Sequence, residues 1–277
     1  MPELPEVETV RQTLAHQLAH PTIQEIDVRY PKLIATDDPL TFAKRLTGKT
    51  IEDYQRIGKY LMFDLGDMML ISHLRMEGKF YIQKASDPYD HNHTHLILTF
   101  TNHVQLRYHD TRKFGRMYLY PKLKDAYAYP CMKNVGYDVF DERIDVAYLW
   151  KLLHQRKITL KQALLDQRVM AGIGNIYADE ICYALHLHPE TKVAHLRKND
   201  FEQLIFEARR ILNGAIKAGG TTIRSYTSSL GVDGRFQLQL KVHGRDKQTC
   251  LQCGKIITKI RVGGRGTYYC KECQKKR

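Results

Sequence analysis

The spacing of hydrophobic residues changes twice along this chain. Over residues 5–18, Val7, Val10, Leu14 and Leu18 recur at the three-to-four spacing of a helix buried on one face. Pro5 and the glutamates around it suit a helix start, where the dipole favours negative charge. From about residue 23 to 120 the pattern becomes strand-like. IQEIDVRY, YLMFDLG, MMLISHL, KFYIQ, THLILTF, HVQLRY and RMYLY are short, β-rich runs with Gly, Asp or Asn between them. Many short strands with tight turns predict a mainly antiparallel sandwich or barrel. Residues 121–150 read as a connection. After it, WKLLHQRKITLKQALLD, NIYADEICYAL and FEQLIFEARRILNGAIKA read as amphipathic helices, the first two separated by the paired glycines of AGIGN at 171–175. A polar loop beyond Gly220 leads into a cysteine cluster. The order is β domain, connection, helical domain, cysteine-rich end.

Composition narrows the function. The chain has 277 residues, 43% of them hydrophobic, enough for an ordinary globular core in one large or two modest domains. No apolar run approaches the ~18 residues that span a bilayer, and the acidic start MPELPEVETV lacks a secretory signal, so a cytoplasmic protein without a membrane partner is expected. The net charge of +13 favours a polyanionic partner. The excess is concentrated at the end: residues 241–277 carry 11 Lys/Arg against Asp246 and Glu272.

Four of the six cysteines form two C-x-x-C pairs, Cys250/Cys253 and Cys270/Cys273, separated by 16 residues. Four thiolates close a tetrahedral zinc site with no open position, so one structural Zn2+ is expected. Between the pairs, TKIRVGGRGTYY reads as a β-hairpin around Gly263–Gly266 with Arg265 at its tip, placed to meet a phosphate or enter a groove. Cys131 and Cys182 read as inert small side chains. His91, His93 and His95 alternate, so a strand would point all three one way; surface strand histidines are the plainer account of them than a metal site.

The N-terminus offers a different chemistry. If Met1 is removed, Pro2 carries a secondary amine. An α-amino group has a pKa near ~8, so part of it is neutral near pH 7 and able to attack a sugar C1′ to form a Schiff base. Glu3 beside it can shuttle protons. Taken alone, Pro2 and Pro5 read as an ordinary chain start.

The start MPELPEVETV resembles that of the formamidopyrimidine-DNA glycosylases. The resemblance recurs in order at RIGKYLMFDL (56–65), ISHLRMEG (71–78), DTRKFGRM (110–117), LLDQRVMAGIGNIYADEI (164–181) and GGRGTYYCKECQ (263–274). It implies an α+β fold: an N-terminal helix with an antiparallel β-sandwich in residues 1–130, a linker at 131–150, a helix-two-turn-helix domain with a lesion-capping loop at 151–240, and a four-cysteine zinc finger at 241–277. It implies a glycosylase and AP lyase that excises oxidised purines, such as 8-oxoguanine and formamidopyrimidines, from damaged duplex DNA and cuts by β,δ-elimination, acting as a monomer. Pro2 is then the nucleophile, Glu3 the general acid/base, Glu6 a support of the site, and Lys59 a phosphate contact and proton donor whose charge lowers the amine pKa. Met76, Arg112 and Phe114 match a set inserted into the duplex where a nucleotide is everted; His73, Lys161, Asn175 and Arg265 match phosphate contacts, with Arg265 also supporting δ-elimination. Such an insertion is chemically sensible, because a base inside the stack is unreachable and apolar wedges replace lost stacking. Thr221, Thr222 and Ser225 fall in the segment that caps the extruded base. Alternatives are an endonuclease VIII-like enzyme for oxidised pyrimidines, and a non-catalytic zinc-finger DNA-binding protein on the same scaffold.

Overall fold

The structure, a computed structural model, describes residues 1–221 and 235–277. The chain divides into two compact units, one comprising residues 1–133 and 219–234, the other 134–218 and 235–277.

In the first unit the helix read from Val7, Val10 and Leu14 is α1, Leu4–Gln17, and those three residues are buried in the core. Two four-stranded antiparallel sheets follow. One has the order β1-β6-β7-β5, from β1 (Ile23–Val28), β5 (Lys79–Lys84), β6 (Thr94–Phe100) and β7 (Val104–His109). The other has the order β2-β3-β4-β8, from β2 (Asp53–Ile57), β3 (Tyr60–Asp64), β4 (Met68–His73) and β8 (Arg116–Pro121). Residues of both sheets and of α1 join one apolar cluster, in which Phe63, Phe80 and Tyr108 meet edge to face. The strand pattern did not reveal β2, whose burial is irregular, or α2 (Pro39–Leu46). Asp38 starts α2 by accepting the backbone N–H groups of Leu40 and Thr41.

In the second unit, α3 (Val146–Leu153), α4 (Leu160–Leu165), α5 (Asn175–Ala184) and α6 (Lys198–Lys217) are joined by the hairpin of β9 (Ile257–Val262) and β10 (Arg265–Cys270). The run at 150–166, read as one helix, is two. Thr159 breaks it: its hydroxyl accepts Gln162 N–H while Gln162 Oε1 accepts Thr159 N–H, a reciprocal cap that starts α4 afresh. The segment after residue 133 is tied down, because Arg209 on α6 donates to the carbonyls of Val139, Asp141 and Ile144. Among the described residues no helix is long and apolar enough to cross a membrane.

Candidate functional site

The chain start is held from several directions within the first unit. Pro2, Glu3 and Glu6 are all buried. Glu6 accepts the N–H of Glu3 at 2.8 Å through one carboxylate oxygen, and the N–H and hydroxyl of Thr221, both at 2.9 Å, through the other. Gly220 allows that approach: a Cβ there would come within 3.0 Å of the Glu6 carboxylate, and its φ of +78° suits glycine. Glu8, two residues further along α1, accepts from both Arg11 and Arg56. Arg56 on β2 also donates to Gly58 O at 3.0 Å, which fixes the β2–β3 turn carrying Lys59. Lys59 is only 5% exposed. The amine at the chain start, on Met1 here, is pulled below its ordinary pKa mainly by burial; Glu3, Glu6 and Glu77 oppose this and Lys59 reinforces it.

Two turns of the same unit carry the expected insertion set. Arg75 and Lys113, with φ of +56° and +58°, bend the chain beside Met76 and Phe114. Met76 is half-buried, Arg112 is exposed, and Phe114 is 50% exposed with the Arg112 guanidinium 4.9 Å from its ring centre. The second turn is built by fully buried Asp110, which accepts the N–H groups of Arg112 and Gly115 at 3.0 and 2.9 Å. Side chains at Gly78 and Gly115 would collide with the Tyr108 hydroxyl, so both positions need glycine for packing. His73 is buried against the edge of Tyr60, and its Nδ1 accepts Arg75 N–H at 3.0 Å. Burial, with help from Arg75 and Lys59, lowers its pKa to about 3. The ring is therefore neutral, with its proton on Nε2, and is a donor rather than a cation.

In the second unit the GIGN turn is shaped by Gln167, which accepts Gly172 N–H and donates to Ile173 O. Gly172 has a φ of +114°. Asn175, first residue of α5, donates to Gly266 O at 3.1 Å. Lys161 corrects the sequence expectation. It is fully buried, and its ammonium donates to Asp179 at 2.7 Å, to Thr267 Oγ1 at 2.7 Å and to Gly266 O at 3.0 Å. All three donors are engaged, so it has none for a phosphate. Its place is beneath the β9–β10 hairpin. The other Asp179 oxygen contacts His243 Nδ1 at 2.7 Å, and Glu180 accepts the N–H groups of Lys241, Val242 and His243. Arg265 itself is exposed, next to the anchored Gly266. The spacing gave no sign of Asp179, Glu180 or His243.

The four cysteines converge as expected. Cys250 and Cys273 sulfurs are 3.8 Å apart, Cys253 and Cys270 sulfurs 3.4 Å, and all four lie within 4.8 Å of one another. Sulfurs at about 2.3 Å from a tetrahedral zinc are about 3.8 Å apart, so the set fits the ion. Burial opposes ionisation of Cys250, but hydrogen bonds from Tyr183 and from backbone N–H groups bring it to about 6; burial and its sulfur neighbours push Cys273 up. A cation is what lets all four become thiolates together.

His91, His93 and His95 do not share a strand face. The first two lie in a turn, and His95 is buried in β6 with Nε2 donating to Asp110 O at 2.8 Å. Thr222 and Ser225 lie outside the described residues; Thr221 is the described member of that segment's expected contacts. Cys182 is fully buried and Cys131 half-buried, and burial raises both thiol pKa values, so neither is activated.

Three family models match in order: the formamidopyrimidine-DNA glycosylase N-terminal domain over residues 1–117, the formamidopyrimidine-DNA glycosylase H2TH domain over 135–227, and the zinc finger found in FPG and IleRS over 247–276. The four clustered cysteines are thus the ligands of a single structural zinc. A formamidopyrimidine-DNA glycosylase of Bacillus subtilis (strain 168) is 44% identical, with all of both chains covered, and one of Shouchella clausii is 44% identical over 99% of each. A solved Lactococcus lactis Fpg in complex with an abasic site containing DNA superposes with a TM-score of 0.91 at 38% identity, covering 99% of this chain and 100% of that one. A variant of the same enzyme with a Fapy-dG containing DNA gives 0.92 at 39% identity and the same coverage. On this full-length agreement, the chain belongs to the formamidopyrimidine-DNA glycosylase family.

Proposed function

We propose that Pro2, freed by removal of Met1, is the nucleophile of this glycosylase, and that Glu3, Glu6 and Lys59 serve it. The enzyme excises oxidised purines from damaged double-stranded DNA and carries the AP lyase activity of its family. The observation that carries the residue assignment is the convergence, in one unit, of buried Pro2, two buried carboxylates and buried Lys59 around the chain-start amine. Burial and the charge of Lys59 depress the amine pKa and outweigh the two carboxylates, which raise it, so a fraction of the amine stays neutral.

In the proposed sequence the Pro2 nitrogen lone pair attacks C1′ of the everted nucleotide and the bond from C1′ to the base breaks. Glu3 gives a proton as the base leaves and the sugar ring opens, which produces an iminium between Pro2 and C1′. Loss of a C2′ proton then expels the 3′ phosphate, a second elimination expels the 5′ phosphate, and hydrolysis returns the amine. Lys59 holds the backbone phosphate beside the lesion. Glu6 keeps Glu3 and Thr221 in place and does no proton transfer, because both its oxygens already accept hydrogen bonds. Neutral His73 donates through Nε2 to a phosphate. Met76, Arg112 and Phe114 fill the gap left by the nucleotide, where Arg can bond to the orphaned base. Asn175 and Arg265 contact phosphates from the H2TH domain and the finger, and Arg265 supports δ-elimination. The zinc stays out of the chemistry because its four ligands leave no open position. We place the enzyme in the cytoplasm, at the nucleoid when bound to DNA.

Purified enzyme offered matched duplexes tests the substrate. The expected result is faster release of 8-oxoguanine and formamidopyrimidine than of thymine glycol. Preference for thymine glycol would move the chain's activity to the oxidised-pyrimidine class.

A further inference from the structure

The turn before β6 and the last residue of β7 bring together side chains that the glycosylase chemistry does not use. Nδ1 of His93 lies 2.5 Å, and Nε2 of His109 3.5 Å, from the same oxygen of Asp90. The three ligand atoms all lie within 4.8 Å of one another. We propose that Asp90, His93 and His109 form a second metal site, for a divalent transition ion, that fastens the root of the Asp110–Gly115 turn.

The donor set selects the class of ion. Two imidazoles and one carboxylate suit Zn2+, Co2+, Ni2+ or Cu2+ and suit Mg2+ or Ca2+ poorly, which want oxygen ligands. Ligands at about 2.0–2.2 Å from a shared ion are about 3.0–3.5 Å apart, so small rotations of exposed Asp90 and the half-buried histidines are enough to close the site.

The site is also pre-positioned. Arg107, 1% exposed, donates to the carbonyls of Lys84, Ala85 and Asp87 and lies over the Tyr89 ring at 4.4 Å, so the chain leading to Asp90 is held in place. Asp90 O accepts Thr94 N–H at 3.0 Å, and His93 O accepts Asp110 N–H at 2.9 Å. The two histidine-bearing segments thus meet directly before Asp110, the residue that builds the turn carrying Arg112 and Phe114. Two features keep the affinity modest beside the finger's. His109 Nδ1 is buried with no hydrogen-bond partner, where a tightly held ligand would have one, and the positive charge of Lys79 opposes a cation. An exchangeable ion at this place restrains the turn, and that consequence for lesion binding rests on the roles proposed above for Arg112 and Phe114.

The test titrates Co2+ into full-length protein whose finger already holds zinc. The expected result is one further equivalent of bound metal, with weak visible bands and no thiolate-to-cobalt charge transfer. Asp90→Asn, His93→Ala and His109→Gln should each weaken this binding by about tenfold or more, with the finger zinc retained. Asp90→Asn keeps the side-chain shape and decides the matter if a histidine variant folds poorly. No further equivalent, binding unaltered in Asp90→Asn, or bands dominated by thiolate charge transfer would each show that the three residues form an ion pair and nothing more. Base excision is read separately, so failure here leaves the glycosylase assignment standing, and the reverse also holds.

Discussion

The N-terminal site and the C-terminal finger both fix a short charged segment, and they do so by different means. At the chain start the fold's own hydrogen bonds are enough. Glu6 gathers Glu3 and Thr221, and Glu8 with Arg56 fixes the turn of Lys59. The groups proposed to react are buried, and burial lowers the pKa of the chain-start amine. The finger has little apolar core, a cluster built around Tyr183, Val242, Ile257 and two of the cysteines. A metal takes the place of that core, and Arg265 stays exposed on a hairpin held from below by Lys161 and Asp179. Burial serves reactivity at one end, whereas at the other an exposed cation needs a rigid mount.

Removing the zinc should have the largest effect. Structural zinc binding contributes about 10–16 kcal/mol to small domains of this kind. Cys250→Ser should abolish zinc binding by the finger and sharply weaken duplex binding, with a shallower salt dependence. Calorimetry should show the transition of the first unit unchanged; loss of that transition too would erase the contrast between the two ends.

The mount comes next. Breaking the buried Lys161–Asp179 pair by Asp179→Asn should cost about 3–5 kcal/mol, and the double change with Lys161→Met should cost much less than the sum of the single changes. A thermodynamic cycle on the second unit measures this. If Lys161→Met alone weakened DNA binding without loss of stability, the phosphate role would be restored to it.

His73 sharpens the other end. Its pKa is about 3 when folded and about 6.5 when unfolded, so the unfolded chain binds the extra proton between those values. Its contribution to stability is complete above about pH 6.5 and falls by about 1.4 kcal/mol per pH unit as the pH drops towards 3. Denaturant titrations across that window should show this slope, and His73→Asn should flatten it.

The smallest stability effect is expected at Phe114 and Arg112. Each is exposed, so Phe114→Ala and Arg112→Ala should change unfolding free energy by no more than about 0.5 kcal/mol. Binding to a lesion duplex, measured against undamaged DNA, should nevertheless weaken. Equal loss on both duplexes would remove the insertion role.

The sequence was most readable where one period or one spacing decides the structure. The apolar stripe of α1, the alternating strands and the cysteine pairs all fall in this class. It was least readable where a polar side chain acts over a long separation. Lys161 looks like any helix lysine until Asp179, Thr267 and Gly266 surround it. Glu8 and Arg56 are 48 residues apart and gave no local signal. The histidine triplet misled because the turn ends at His93, so strand alternation does not extend to it, and His109, from the neighbouring strand, completes the cluster instead. For the active site, residue chemistry alone left Pro2 a weak candidate. The ordered motifs raised it, and burial with the charge of Lys59 lowers the pKa of the chain-start amine, as the proposed role requires.

The central claim is a covalent bond to Pro2. Protein shown by mass analysis to start at Pro2 would be mixed with an 8-oxoguanine duplex and borohydride, and the adduct mapped by peptide mass spectrometry. The expected result is an adduct on the N-terminal peptide at Pro2, weakened in Pro2→Gly and absent from protein that retains Met1. An adduct mapped to a lysine, or none from enzyme that releases the base, would contradict it.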